Sequence, residues 1–144
     1  MRITSKITDT KHYGDVRQGK IDYIVVQTVG NSMSAHYQIH NGETIQIIPD
    51  DYISDSVNGG KINKCGYLHG ICTKYNSISI CITDDISKND KELCLKLIMT
   101  LKQRYKIKRE NIVRQKDITG EINPAVWHDD DKWKRDIIDK LIEI

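Results

Sequence analysis

Hydrophobic and polar positions along this chain change period from segment to segment, and each change predicts an element. The run Ile21 to Val29 is short, rich in β-branched residues and stopped by Gly30-Asn31. That is the pattern of a central strand buried on both faces. Ser34 to His40 and Glu43 to Pro49 read as two further strands joined by Asn41-Gly42, a dipeptide that tolerates the positive φ of a tight turn. Ser77 to Ile82 alternates polar and apolar residues with period two, which predicts a strand with one face on the core.

Helical spacing takes over in the second half. Leu93, Leu97, Ile98 and Leu101 recur at helical intervals up to about Tyr105, with Asn89 or Asp90 as the expected cap. Ile112-Val113 starts a last short strand, and Asp117 to Pro124 reads as a loop of turn residues. Asp129 to Asp131 then opens a final helix that turns Trp133, Ile137, Ile138, Leu141 and Ile142 inward. Between hairpin and third strand, Asp50 to Tyr75 has no period and is broken by Asn58-Gly59-Gly60, Gly66 and Gly70, so a long surface loop bordering a site is expected. The sum is an α/β domain with a central mixed sheet flanked by helices.

The 144 residues suit one domain, read here as 1–144. A net charge of +2, from 22 basic and 20 acidic residues scattered along the chain, leaves no basic tract to recommend nucleic acid as a partner. No stretch approaches the roughly 20 apolar residues of a membrane helix, and Met1 to Lys11 lacks a signal-peptide run. The expected location is therefore the cytoplasm, with the cell wall reached only through another releasing factor. In that compartment Cys65, Cys72, Cys81 and Cys94 are expected to stay reduced.

Three segments in order carry a resemblance. Ile21 to Thr28, followed by Ser34-Ala35-His36-Tyr37 and a hairpin ending Ile45-Gln46-Ile47-Ile48-Pro49, is the first. Gly70 to Ile80 is the second, and Asn111-Ile112-Val113-Arg114-Gln115-Lys116-Asp117 to Asn123-Pro124 the third. Together they resemble the zinc-dependent N-acetylmuramoyl-L-alanine amidases, the family of phage endolysins and peptidoglycan recognition proteins. The resemblance implies the amidase-type fold and assigns the three zinc ligands to the positions of Gln27, Gln115 and Asn123, where the family carries two histidines and a cysteine or aspartate. It puts Cys81 where a glutamate assists water activation, and Glu121 where many relatives have an oxyanion-stabilising lysine. His36, Tyr37 and Asn76 become candidate binding residues. Relatives also place a helix of about 20 residues where only 30–33 joins strand to hairpin here.

Neutral amides are poor zinc ligands beside imidazole, thiolate and carboxylate, so the family zinc is expected to be absent and no other cofactor is implied. The reading is a degenerate, inactive endolysin-like protein, a prophage pseudoenzyme that binds a peptidoglycan fragment or regulates a protein partner. The alternative is a hydrolase of the muramoyl-L-alanine amide with an unusual metal site. His36 and His40, four apart on one strand, and the Cys65-x3-His69-x2-Cys72 spacing are weaker metal candidates. Loss of the connecting helix exposes sheet surface, which makes a homo-oligomer a further expectation.

Overall fold

The computed structural model describes residues 2–7, 15–28, 35–57 and 65–141. They build a mixed six-stranded sheet from β1 (Thr4–Ser5), β2 (Tyr23–Gln27), β3 (Tyr37–His40), β4 (Glu43–Gln46), β5 (Ser77–Cys81) and β6 (Ile112–Arg114). The order across the sheet is β1-β4-β3-β5-β2-β6, and only the β3–β4 pair is antiparallel. The shortened connection at 30–33 lies outside the described residues.

Each strand follows from its residues. β2 pairs with β5 on one side and β6 on the other, so both rows of its backbone groups are satisfied and a nearly continuous apolar run is tolerated. The two-residue turn between β3 and β4 places Asn41 at φ 50 and Gly42 at φ 77, the doubly positive geometry of the hairpin turn expected there. β5 differs from expectation: all five of its residues are buried, serines included. Ile78 and Ile80 enter the main core, while Ser79 turns to a buried polar cluster on the other face.

The main core lies between one face of the sheet and two helical segments. α1 (Lys88–Tyr105) buries Cys94, Leu97, Ile98 and Leu101 there, and α3 (Asp130–Asp136) with the chain after it adds Trp133, Ile137 and Leu141. The cap of α1 is Ser87, whose hydroxyl accepts from Asp90 N–H; Asp90 instead takes the Gly42 N–H at 2.9 Å and ties the hairpin turn to the helix. Asp129 caps α3 as expected, accepting from Asp131 and Lys132 N–H. α3 ends before Ile137, and a 3-10 turn at Ile138–Lys140 follows. Ile142 lies outside the described residues.

The other face of the sheet is covered by what the sequence suggested was a surface loop. Val57, Leu68 and Cys72 pack with Ile118 over Val25 and Val113 as a second, smaller core. The expected loop after β6 begins as a short helix, α2 (Gln115–Thr119), whose start is held by the Asp117 carboxylate accepting from both the backbone N–H and the guanidinium of Arg114. Gly66 lies so close to α2 that a β-carbon there would meet the Asp117 carbonyl oxygen at 2.2 Å. The small core thus depends on backbone-to-backbone contact.

Candidate functional site

Because β5, β2 and β6 are parallel neighbours, their carboxyl ends emerge at one edge of the sheet, where ligands bind in open α/β folds. Gln27 ends β2 in register with Cys81 of β5, and Val26 is in register with Arg114, so Gln115 starts α2 level with Gln27. The topology brings these positions together from distant parts of the chain.

Gln27 Nε2 donates to Gln115 Oε1 at 2.9 Å and to the Ser56 carbonyl at 3.2 Å. Both partners only accept at those atoms, which fixes the orientation of the Gln27 amide. Its Oε1 is buried and has no hydrogen-bond partner among the described residues. Asn123 joins the site differently. Its Oδ1 accepts from Thr28 N–H at 2.8 Å and its Nδ2 donates to the Thr28 carbonyl at 2.9 Å, so the side chain imitates a strand partner for the residue after Gln27. Cys81 is buried and its thiol points to the Ile82 carbonyl, 3.8 Å away. Glu121 is half-buried on the loop between α2 and Asn123, and its backbone N–H donates to Thr119 Oγ1.

The candidate binding residues are engaged elsewhere. Asn76 uses both ends of its amide inside its own loop, accepting from Thr73 N–H and donating to the Ile71 carbonyl, each at 2.9 Å. Tyr37 is buried and donates its hydroxyl to Asp50 at 2.8 Å. Burial and the neighbouring Asp50 charge push that phenol well above its usual range. Asp50 also accepts from the Tyr105 hydroxyl, whose own pKa is pushed up to about 12 by burial and by the same carboxylate, and from Arg104 at 3.3 Å.

His36 is wholly buried and its protonation is dictated by neighbours that can play only one role. Ser79 N–H donates to Nδ1 at 3.1 Å, and the Tyr52 carbonyl lies 2.8 Å from Nε2. Nδ1 must accept and Nε2 must carry the proton, which defines a neutral imidazole. Desolvation holds its pKa down at about 4. Beside it, Arg17 sends its guanidinium to the carbonyls of Asp50, Tyr52, Tyr75 and Ser77. Nothing in the spacing of the sequence marks Arg17, because its partners are backbone oxygens contributed by remote loops.

Arg114, unlike the half-buried Arg17, is fully buried. It pairs with Asp117 at 3.0 Å and Asp130 at 2.8 Å, donates to the Trp127 carbonyl at 2.9 Å, and lies 5.7 Å over the Trp133 ring. It thereby holds β6, α2 and the start of α3 together behind the Gln115 position.

Chemically, the edge offers neutral amides, hydroxyls and one thiol. The Gln115 and Asn123 carboxamide oxygens each already accept a hydrogen bond and Gln27 turns its nitrogen to Gln115, so the three positions that the resemblance assigns to zinc present neutral, weakly basic amides in place of the imidazole, thiolate or carboxylate that zinc takes. Among the described residues no group of three or more His, Cys, Asp or Glu side chains could hold a metal, Cys65 with His69 and Cys72 included. The four cysteines are free, and the Cys72 thiol is pushed up to about 12 by burial. No helix among the described residues is long and apolar enough to cross a membrane.

No protein-family model and no curated protein sequence matches the chain. Solved structures do. PlyL superposes with a TM-score of 0.72 at 18% identity, over 99% of this chain and 98% of that one. A mutant endolysin from Bacillus subtilis gives 0.70 at 20% identity, over 94% and 96%. The N-acetylmuramoyl-L-alanine amidase LysC from Clostridium intestinale gives 0.63 at 11% identity, over 86% and 89%. The chain therefore has the fold of the endolysin amidases along nearly its whole length.

Proposed function

We propose that this protein uses the amidase fold without amidase chemistry, as a protein that binds a cell-wall fragment or regulates a protein partner. The observation that carries the reading is the hydrogen bond from Gln27 to Gln115 at 2.9 Å, which occupies the carboxyl ends of β2 and β6 with a pair of neutral amides. A zinc ion there would need both side chains turned as acceptors, whereas Gln27 presents its donor nitrogen to Gln115 and to Ser56. The donor set does not fit zinc, and the water activation that zinc supplies in such hydrolases has no substitute among Cys81 and Glu121. A glutamate at 121 would also repel the negative charge that develops on a cleaved amide oxygen.

The deciding experiment is release of new L-alanine amino groups from purified peptidoglycan, with zinc in excess and an active amidase as control. No release is expected from this protein. Release that a chelator abolishes would overturn the proposal and establish a hydrolase with an unusual metal site. If the assay is silent, co-sedimentation with insoluble peptidoglycan separates a wall binder from a protein regulator.

A further inference from the structure

One hydrogen-bonded chain runs through the interior from the segment around Arg17 to the amide pair. Residues 15–17 bridge residues 51–53, with Arg17 N–H on the Asp51 carbonyl at 2.6 Å and Ile53 N–H on the Asp15 carbonyl at 2.9 Å. The Arg17 guanidinium fastens this strap to four carbonyls, and its Nη2 lies 3.3 Å from His36 Nε2. Since Nε2 carries the imidazole proton, that last contact sets donor against donor and is not a hydrogen bond. On its other side His36 meets Ser79, whose hydroxyl accepts from His36 N–H at 3.0 Å. Ser79 Oγ is in turn 3.1 Å from Ser54 Oγ and 3.2 Å from Ser56 Oγ, and the Ser56 carbonyl receives Gln27.

We propose that His36 is a proton-operated latch: a proton taken on Nδ1 releases the strap at 15–17 and loosens the Ser54–Ser56 wall beside the Gln27–Gln115 pair. In the closed form that proton displaces an existing hydrogen bond. Nδ1 would have to give up the Ser79 N–H, and the resulting imidazolium would sit beside the Arg17 cation. Once formed, Nδ1–H can turn only to the Ser79 hydroxyl, 3.1 Å away, which disturbs the hydroxyls bonded to it. Arg17 opposes the charge, and Asp50, shared with Tyr37, Arg104 and Tyr105, is the carboxylate that faces the group and favours it. Asp51 lies near Arg17 on the strap side.

The sign of the effect follows from linkage. In the closed form the pKa is held down at about 4 by burial, whereas an opened, hydrated imidazole returns to its ordinary 6.5. As pH falls below 6.5 the open form binds the proton first, so the latch is fully closed above that value and loses stability down to about pH 4. Opening should become roughly tenfold easier per pH unit across that window. The latch operates whether or not the amide site holds a ligand.

The test is amide hydrogen exchange across the window, with rates divided by the intrinsic rate at each pH. Protection at Arg17 and Ile53 should fall by roughly tenfold per unit below pH 6, while Val25 and Val26 in β2 stay protected. In a His36→Gln variant the profile at Arg17 and Ile53 should be flat. The same loss in His36→Gln, a loss shared by β2, or no loss at all would each overturn the latch. Should that variant fail to fold, the ¹⁵N spectrum of the unmodified protein decides: a neutral ring protonated on Nε2 at pH 7 is expected, and protonation on Nδ1 refutes the mechanism.

Discussion

At the scale of single residues, the interior of this protein is organised by groups that can make only one kind of hydrogen bond. The Gln27–Gln115 contact has a measurable value, because removing either amide alone takes a buried hydrogen bond from the other. Gln115→Met deprives Gln27 Nε2 of one acceptor and should cost about 1–2 kcal/mol; Gln27→Met strips a donor from both Gln115 and Ser56 and should cost about 2 kcal/mol or more. The double variant should cost less than the two added together, by about 1 kcal/mol, since the hydrogen bond they share is lost only once. Urea unfolding of the four proteins measures this coupling, and strict additivity would mean that the pair contributes nothing beyond its parts. Arg17 and Arg114 obey the same logic with charge. Each is a guanidinium, half-buried at Arg17 and buried at Arg114, whose planar fork reaches several oxygens at once, a geometry that lysine cannot reproduce.

At the scale of elements, the second core stands or falls with the approach of residue 66 to α2. Gly66 N–H donates to the Ile118 carbonyl and Leu68 N–H to that of Asp117, and an added β-carbon at 66 would lie 2.2 Å from the Asp117 oxygen. Backbone must shift, so Gly66→Ala should destabilise the protein by about 1–3 kcal/mol. Its loss of exchange protection should concentrate at Leu68, Val113 and Ile118; a variant with unchanged melting temperature would show that the loop yields freely. The elements that the sequence makes legible are those whose period is local: β2, the Asn41-Gly42 hairpin, α1 and the capped start of α3. β1 is not legible because two residues carry no period and its pairing with β4 is set from outside. The start of α2 has the composition of a loop because it rests on the Arg114–Asp117 pair and on the loop that covers it. Ser87 does not stand out as the α1 cap because Asn89 and Asp90 are equally good capping types, and only the fold reveals that Asp90 is committed to Gly42. At the site, Gln27, Gln115 and Asn123 could be assigned only through the resemblance. Composition and spacing give no hint that two of them touch, and the buried run of Ser54, Ser56, Ser79 and His36 joins three parts of the chain by contacts that no period encodes.

At the scale of the whole molecule, the question is whether the fold is held at this edge by hydrogen bonds alone. A metal that binds only the folded state raises its stability by RT ln(1 + [L]/Kd), which is about 2.7 kcal/mol at a hundredfold excess over Kd. If neutral amides have taken over the edge, the melting temperature should be the same with zinc in excess and with a strong chelator, and equilibrium dialysis should find no stoichiometric zinc. That outcome alone does not distinguish a changed donor set from strands that no longer hold the ligand positions near one another. The combined substitutions Gln27→His, Gln115→His and Asn123→Cys make the distinction, because they supply good zinc donors while β2 and β6 keep their pairing. Zinc should then bind the variant and raise its melting temperature by several degrees, a chelator should reverse the rise, and the parent protein should show neither effect. Zinc-dependent melting of the parent would refute the proposal directly. A variant that folds yet ignores zinc would show that the edge has drifted beyond the donor types, since the hydrogen bonds from Gln27 to Gln115 and from Thr28 to Asn123 would then belong to a geometry that no longer converges on one ion.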